Sequence, residues 1–276
     1  MGRRRYAPGE LVIRQDEIGE EFKERQKMAG AVDFSPGGYR FLPSVFQYSA
    51  GVAALPGHAI ERVRFRAPMP LEAGFAAIER MITQAGRPLS AFCGCELRSP
   101  APFTEGGFRS FNERYVVTLE KWRLFDGKVN PVARSNVCPD IEPPSEPSFH
   151  AFSFTVAASS TVPTFVIAGG AEAKEGGASY NERIVRRGET TPNAMREKAR
   201  HVLSEMERRL AAFGLRWADT TATQVYTVHN LYPFLADEIV RRGVAHVGLT
   251  WHYARPPVQG LEYEMDCRGT NRETVV

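Results

Sequence analysis

The chain has 276 residues, 43% hydrophobic and 24% charged, the make-up of an ordinary folded protein with one large or two moderate domains. Its net charge of +3 is small and spread out, so no nucleic-acid surface is expected, and Arg3-Arg4-Arg5 reads as a solvated tip. No apolar run is long enough to span a bilayer, and the basic start at Met1-Gly2-Arg3 has no apolar stretch behind it. A cytoplasmic protein without membrane or nucleic-acid partners is the expectation. Cys93, Cys95, Cys138 and Cys267 lack zinc-ligand spacing and read as free, buried thiols.

Residues 1–44 are rich in charges and turns, with a short helix expected over Glu17–Met28 and a turn at Ser35-Pro36-Gly37-Gly38. They read as an N-terminal extension that docks on the body or on a neighbour. Strands are expected over Val45–Val52 and Ile60–Phe65. Pro70 then opens a helix whose stripe is Leu71, Phe75, Ile78 and Ile82. A buried strand over Phe92–Leu97 follows. Thr104 is placed to cap a helix carrying Phe108, Phe111, Tyr115, Leu119 and Trp122 on one face. Val132–Cys138 and Phe149–Val156 read as strands.

The second half repeats that order. Thr164–Ala168 reads as a strand ending at Gly169-Gly170, and Tyr180–Arg187 as a polar strand. Pro192 opens a helix with the stripe Met195, Ala199, Val202, Met206, Leu210 and Phe213, closed by Gly214. A strand over Thr220–Val228, a helix over Leu231–Arg242, and strands over Val247–Tyr253 and Leu261–Cys267 complete the chain. The string β-β-α-β-α-β-β therefore occurs twice, in units 45–158 and 159–276. The fold expected is α+β, with two helices on one face of a mixed sheet in each unit. The bare face of each sheet must then pack on another sheet, within one chain or between chains.

Several short motifs resemble the YjgF/Rid family of imine and enamine deaminases, whose fold is chorismate-mutase-like. Val132-Ala133-Arg134-Ser135-Asn136-Val137 resembles the family's Pro-Ala-Arg-Ser core, with Val132 in place of proline. Leu261-Glu262-Tyr263-Glu264-Met265 is similar to its Glu-bearing last strand, and Ala254-Arg255-Pro256-Pro257 to the segment before it. Ile167-Ala168-Gly169-Gly170, Ser49-Ala50-Gly51 and Gly38-Tyr39 resemble further family stretches. The family Arg is kept in the first half and the Glu in the second. Gly248 takes the Arg position of the second half, the Glu position of the first falls near Phe152, and Asn136 fills the first half's cysteine slot. A tandem chain of this length resembles the long 2-aminomuconate deaminases.

That resemblance implies hydrolytic deamination of a dicarboxylate enamine or imine such as 2-aminomuconate or 2-amino-5-chloromuconate, without cofactor or metal. Ammonia and an oxo- or hydroxy-muconate would leave. It also implies a homo-oligomer, most simply a trimer, with sites between units. The rival expectations are a ligand-binding or chaperone-like module and a general 2-imino acid deaminase.

The chemistry needs a cation for the carboxylate, a group that activates water, and a proton for the departing nitrogen. Arg134 suits the first task through its planar fork, with Val132, Phe149 and Phe152 as an apolar wall. Glu264, and behind it Glu262 on the same strand face, suits the second. Arg255 and Arg98 are candidates for a second carboxylate. His252, and less so His229, could move a proton. Thr250 stands where the family has Cys or Thr. Tyr39 and Tyr48 could stack on the diene, and Gly169 and Gly170 would let backbone approach the substrate. No phosphate-binding loop, nucleophile elbow or metal spacing is present.

Overall fold

A computed structural model describes residues 30–174 and 179–276. The helix expected over Glu17–Met28 lies outside the described residues. The strands of the first part are β1 (Val32–Phe34), β2 (Tyr39–Leu42), β3 (Gly51–Ala54), β4 (His58–Pro70), β5 (Phe92–Arg98), β6 (Ala133–Pro139) and β7 (Ser148–Ala157). Those of the second are β8 (Phe165–Ala171), β9 (Ala222–Tyr226), β10 (Thr250–His252), β11 (Ala254–Arg255), β12 (Glu264–Gly269) and β13 (Glu273–Val275). The longer helices are α1 (Leu71–Gln84), α2 (Glu105–Lys121) and α3 (Pro192–Ala212).

The strands form two mixed sheets, a six-stranded one in the order β11-β6-β5-β7-β4-β13 and a seven-stranded one in the order β1-β2-β3-β8-β12-β9-β10. Both contain one four-strand pattern. In the first sheet β6 runs parallel to β5, which lies antiparallel to β7, which lies antiparallel to β4. In the second, β10, β9, β12 and β8 repeat those relations in the same order.

Strand membership crosses the expected boundary at 158 in both directions. β1, β2 and β3 join the seven-stranded sheet, β3 pairing with β8, while β11 and β13 join the six-stranded one. The stretch expected as an extension thus carries sheet, because Tyr39 and Phe41 share one strand face, on either side of Arg40, and are buried.

Each sheet is covered by helix on one face. The stripe of α1 and the aromatic face of α2 close over Val63, Leu97, Phe149 and Phe152. Thr104 caps α2 by accepting the Gly107 N–H at 3.1 Å. α3 starts the same way: Thr191 accepts from Ala194 and Pro192 fills the first turn. α3 and the segment 231–244 cover the second sheet. That segment holds only a helical turn, Tyr232–Phe234, followed by wider turns over Leu235–Val240.

The two bare faces pack on each other inside the chain. Tyr39, Phe41, Val52 and Ala168 of one sheet meet Ile60, Cys93 and Ala133 of the other. Beside this apolar part lies a polar layer. Arg62 grips Glu96 with two bonds, 2.6 and 2.8 Å, and reaches Glu273 at 3.3 Å. Against the cost of burial, Arg62, Arg268 and Arg98 hold the Glu96 carboxyl well below its usual range. Ser135 of β6 donates to Asp266 of β12 at 2.6 Å, tying the sheets together next to the site.

Candidate active site

Arg134 projects from β6 towards α2, 3% exposed. Four rings surround its guanidinium carbon, those of Tyr115 at 4.8 Å, Tyr48 at 5.1 Å, Phe111 at 5.6 Å and Phe108 at 5.8 Å. This aromatic cage, not Val132, Phe149 and Phe152, forms the wall; those three pack under the helices. Nη2 donates to Asn112 Oδ1 at 2.7 Å, and Nη1 is buried with no partner among the described residues. A caged cation with one unused donor is prepared for an anion, since burying such a donor without a partner is costly.

Glu264 opens β12, 4% exposed. Its carboxyl forms no hydrogen bond or ion pair with the described residues. Burial, then Asp266 and Glu172, push it well above the usual carboxylate range, against the pull of Arg98 and Arg134. The shift favours the protonated acid, the form that has a proton to give. Gly169 is required opposite it. A Cβ there would collide with Glu264 Oε1 and stand 3.1 Å from the Ser135 Cα. At Gly170 a Cβ would come within 2.8 Å of Met206 Cε and 3.2 Å of Arg209 Nη1.

The entry to β12 is held by a buried ion pair. Lys198 Nζ lies 3.2 Å from Glu172 Oε1, both side chains fully buried. Glu172 also accepts the N–H groups of Glu262 at 2.6 Å and Tyr263 at 3.1 Å. It thereby fixes the two residues before Glu264.

These parts converge on one cavity of about 130 Å³ between β6, the end of β8 and the start of β12. Arg134, Asn136 and Glu264 line its inner part, all buried; Tyr48, Gly169 and Gly170 complete the predicted residues on its wall. Asn136 Nδ2 is a second buried donor without a partner among the described residues. Lys174, Arg183 and Arg209 line the outer part. Burial raises the Tyr48 hydroxyl against the pull of Arg134, Arg209 and Arg183, while Glu264 adds to the rise.

The remaining candidates lie elsewhere. Tyr39 is buried between the sheets, its hydroxyl donating to the Phe92 carbonyl at 3.3 Å. Arg98 sits over the Tyr226 ring at 5.4 Å, 4.0 Å from Glu96. Arg255 pairs with Asp140 at 2.9 Å and Glu262 at 3.7 Å. His252 stacks on Tyr226 and meets Gln224 at 3.0 Å; burial and Arg98 lower its pKa to about 4. Thr250 is exposed on the edge strand β10. Glu262 precedes β12, so it does not share a strand face with Glu264, and it meets His229 at 2.8 Å. The three outer cations went unseen in the sequence. Arg209 lies in a run of charged helix residues that reads as a solvated face, and its only signal is the adjacent Gly170, visible once folded.

All four cysteines are free and buried. Among the described residues no group of three His, Cys, Asp or Glu could hold a metal, and no helix is long and apolar enough to cross a membrane.

A family model described as 2-aminomuconate deaminase CnbZ matches residues 31–274. The 2-amino-5-chloromuconate deaminase of Comamonas testosteroni is 54% identical over 251 residues, 90% of this chain and 100% of that protein. Solved structures are more distant. A Thermotoga maritima protein described as a candidate endoribonuclease is 16% identical, with a TM-score of 0.30 over 39% of this chain and 79% of its own. Cyanuric acid hydrolase of A. caulinodans is 11% identical, with a TM-score of 0.37 over 78% of this chain and 67% of its own. The chain belongs to the 2-aminomuconate deaminase CnbZ family and is an enzyme that breaks a carbon–nitrogen bond.

Proposed function

We propose that the enzyme hydrolyses the enamine of 2-aminomuconate or its 5-chloro analogue in the cavity of Arg134 and Glu264. The observation that carries this is a buried Glu264, whose carboxyl burial, Asp266 and Glu172 push above its usual range, facing the same cavity as a caged Arg134 with an unused donor. Arg134 holds the carboxylate beside the amino-bearing carbon, C2. The Glu264 acid gives its proton to C3 of the enamine, and the C2–C3 double bond becomes an iminium at C2. The resulting carboxylate takes a proton from water as the water oxygen bonds to C2. The Glu264 acid then gives that proton to the carbinolamine nitrogen, the C2–N bond breaks, and the oxygen returns its proton to the Glu264 carboxylate as the ketone forms. One enamine and one water give one oxo-acid and one ammonia. Asn136 Nδ2 supplies a donor to the water or the carbinolamine oxygen.

The repeated four-strand pattern supports reading the chain as two tandem Rid-like units with one site between them. A homo-oligomer, most simply a trimer, belongs to the same reading, and light scattering on the purified protein measures it.

The test is ammonia release from freshly generated 2-aminomuconate and its 5-chloro analogue, with simple 2-imino acids alongside. Turnover of the muconates is expected, falling about a hundredfold or more in Arg134→Ala. Turnover of simple imino acids alone would make the protein a general 2-imino acid deaminase. Full activity in Arg134→Ala would refute the proposed anchor.

A further inference from the structure

We infer that Ser99 is a positioning residue for the reaction: it holds the Asn136 side-chain carbonyl so that the amide NH2 faces the cavity, where it supports the oxygen that forms on C2. This deepens the proposed function and rests on it. β5 runs parallel to β6 with Leu97 opposite Asn136. Ser99, two residues beyond Leu97, shares that face and stands diagonal to Asn136. Its N–H donates to the Val137 carbonyl at 2.9 Å, which pins the residue to β6 just past the end of β5. The side chain is fully buried, and its hydroxyl donates to Asn136 Oδ1 at 2.9 Å.

That bond decides which way the amide points. A buried hydroxyl proton needs an acceptor, and Asn136 Oδ1 is the one that the described residues give Ser99. An amide turned end for end would present its NH2 to the hydroxyl and leave the Ser99 proton with no acceptor among them. Nδ2 therefore faces away from Ser99, and it is buried with no partner among the described residues. Arg134 and Asn136 share one face of β6, on either side of Ser135, and both line the cavity with Glu264. The unused N–H groups thus stand beside the carboxylate anchor and the acid. In the proposed reaction the oxygen on C2 gives a proton to the Glu264 carboxylate as water attacks and again as the ketone forms. In both steps it becomes electron-rich, and a donor held in place beforehand stabilises it there and not in the bound substrate. The amide is neutral, so it does this without drawing the carboxylate away from Arg134.

The test is a double-mutant cycle on steady-state ammonia release from freshly generated 2-aminomuconate by the full-length enzyme, with Ser99→Ala, Asn136→Ala and the two combined. Asn136→Ala should lower kcat about a hundredfold. Ser99→Ala should lower it about five- to tenfold. KM should change little in both, because the oxygen that the amide supports is absent from the bound substrate. The double variant should match Asn136→Ala, since without the amide Ser99 has nothing to hold. A Ser99 that only supports the fold would cost the same factor in both backgrounds. Where Ser99→Ala does not fold, Ser99→Cys, a weak donor of similar size, enters the cycle in its place with the same expectation. Full kcat in Asn136→Ala, or losses that multiply in the double variant, would refute the inference. Arg134→Ala runs alongside. If it loses turnover while the Ser99 and Asn136 variants keep theirs, the inference is refuted and the deaminase site stands. If Arg134→Ala keeps full turnover, or wild type releases no ammonia, the site itself is misplaced and the inference falls with it.

Discussion

Replacing Glu264 with Gln separates a stored proton from an ordinary buried carboxylate. Gln has the same length and branch, so it fits the space that Gly169 leaves open. The carboxyl forms no hydrogen bond with the described residues, so none of theirs is lost. The proton goes, and with it a general-acid contribution of about a hundred- to ten-thousandfold in kcat. Stability moves the other way. The folded pKa of Glu264 lies above its unfolded value, raised by burial, Asp266 and Glu172. The native state therefore keeps a proton that the unfolded chain releases. Wild type is at its relative best below the unfolded value, about 4.3, and loses about 1.4 kcal/mol per pH unit above it until the folded pKa is reached. Glu264→Gln lacks that slope, so it gains on wild type as pH rises. Urea unfolding at pH 5 and pH 8, paired with ammonia release, reads both effects. Wild-type kcat should also fall as pH rises through the folded pKa. A variant that keeps its rate refutes the acid role. A variant that loses ground to wild type between pH 5 and pH 8 shows that Glu264 is ionised in the native protein.

The Lys198–Glu172 pair is fully buried, so Lys198→Met should cost about 3–5 kcal/mol in urea unfolding by stranding Glu172. Adding Glu172→Gln should recover much of that, and a loss equal to the single variant's would contradict the ion-pair account. Burial, then Arg98, lowers the pKa of His252 to about 4 and of His150 to about 3. Each ring then costs stability as pH falls below the unfolded value of about 6.5, at about 1.4 kcal/mol per unit, and His252→Gln should flatten the wild-type curve between pH 6.5 and 4. Burial pushes the Cys95 and Cys138 thiols up to about 12, so a thiol reagent at pH 8 should label no cysteine until urea unfolds the chain.

What the sequence disclosed depended on whether a local signal carried the position. Helices α1, α2 and α3 were legible because an apolar stripe followed a start signal, Pro70, Thr104 or Pro192, with Thr104 bonded as its position implied. Leu231–Arg242 carries an apolar pattern too, but Pro233 interrupts it and the segment winds in wide turns. Tyr180–Arg187 was not a strand: it holds a helical turn and one bridge, Ala173 to Ile184, and its charged residues offer no face to bury. The strand expected over Val247–Tyr253 shrinks to Thr250–His252, since Gly248 turns the backbone at φ 96°. At the site, Arg134, Glu264, Gly169, Gly170 and Tyr48 share the cavity. Arg98 and Arg255 looked equally available as letters, but Arg98 folds 4.0 Å from Glu96 of its own strand and over the Tyr226 ring of the other sheet, and Arg255 pairs with Asp140 from the distant loop after β6. Charge type can be read locally; charge pairing is a property of the tertiary fold.

The separation of Arg134 and Glu264 onto different sheets has a physical consequence. Within one sheet, an Arg and a Glu facing the same side can form an ion pair, as Arg62 of β4 and Glu96 of β5 do with two short bonds across the intervening β7, and that pair favours the ionised form of Glu96. Such a pair would spend both catalytic groups on each other. Here Arg134 points towards α2 and is stabilised by four rings and the Asn112 amide, none of which neutralises it. Glu264 lies across the cavity on the other sheet, beside Asp266 and Glu172, whose charges favour its protonated form. Arg134 pulls on its proton less than Arg98 does. In the proposed mechanism, a carboxylate bound at Arg134 would offset that pull and favour the protonated form of Glu264 further. Arg134 and Glu264 thus reach one cavity from different sheets, each in surroundings that keep it from pairing with the other.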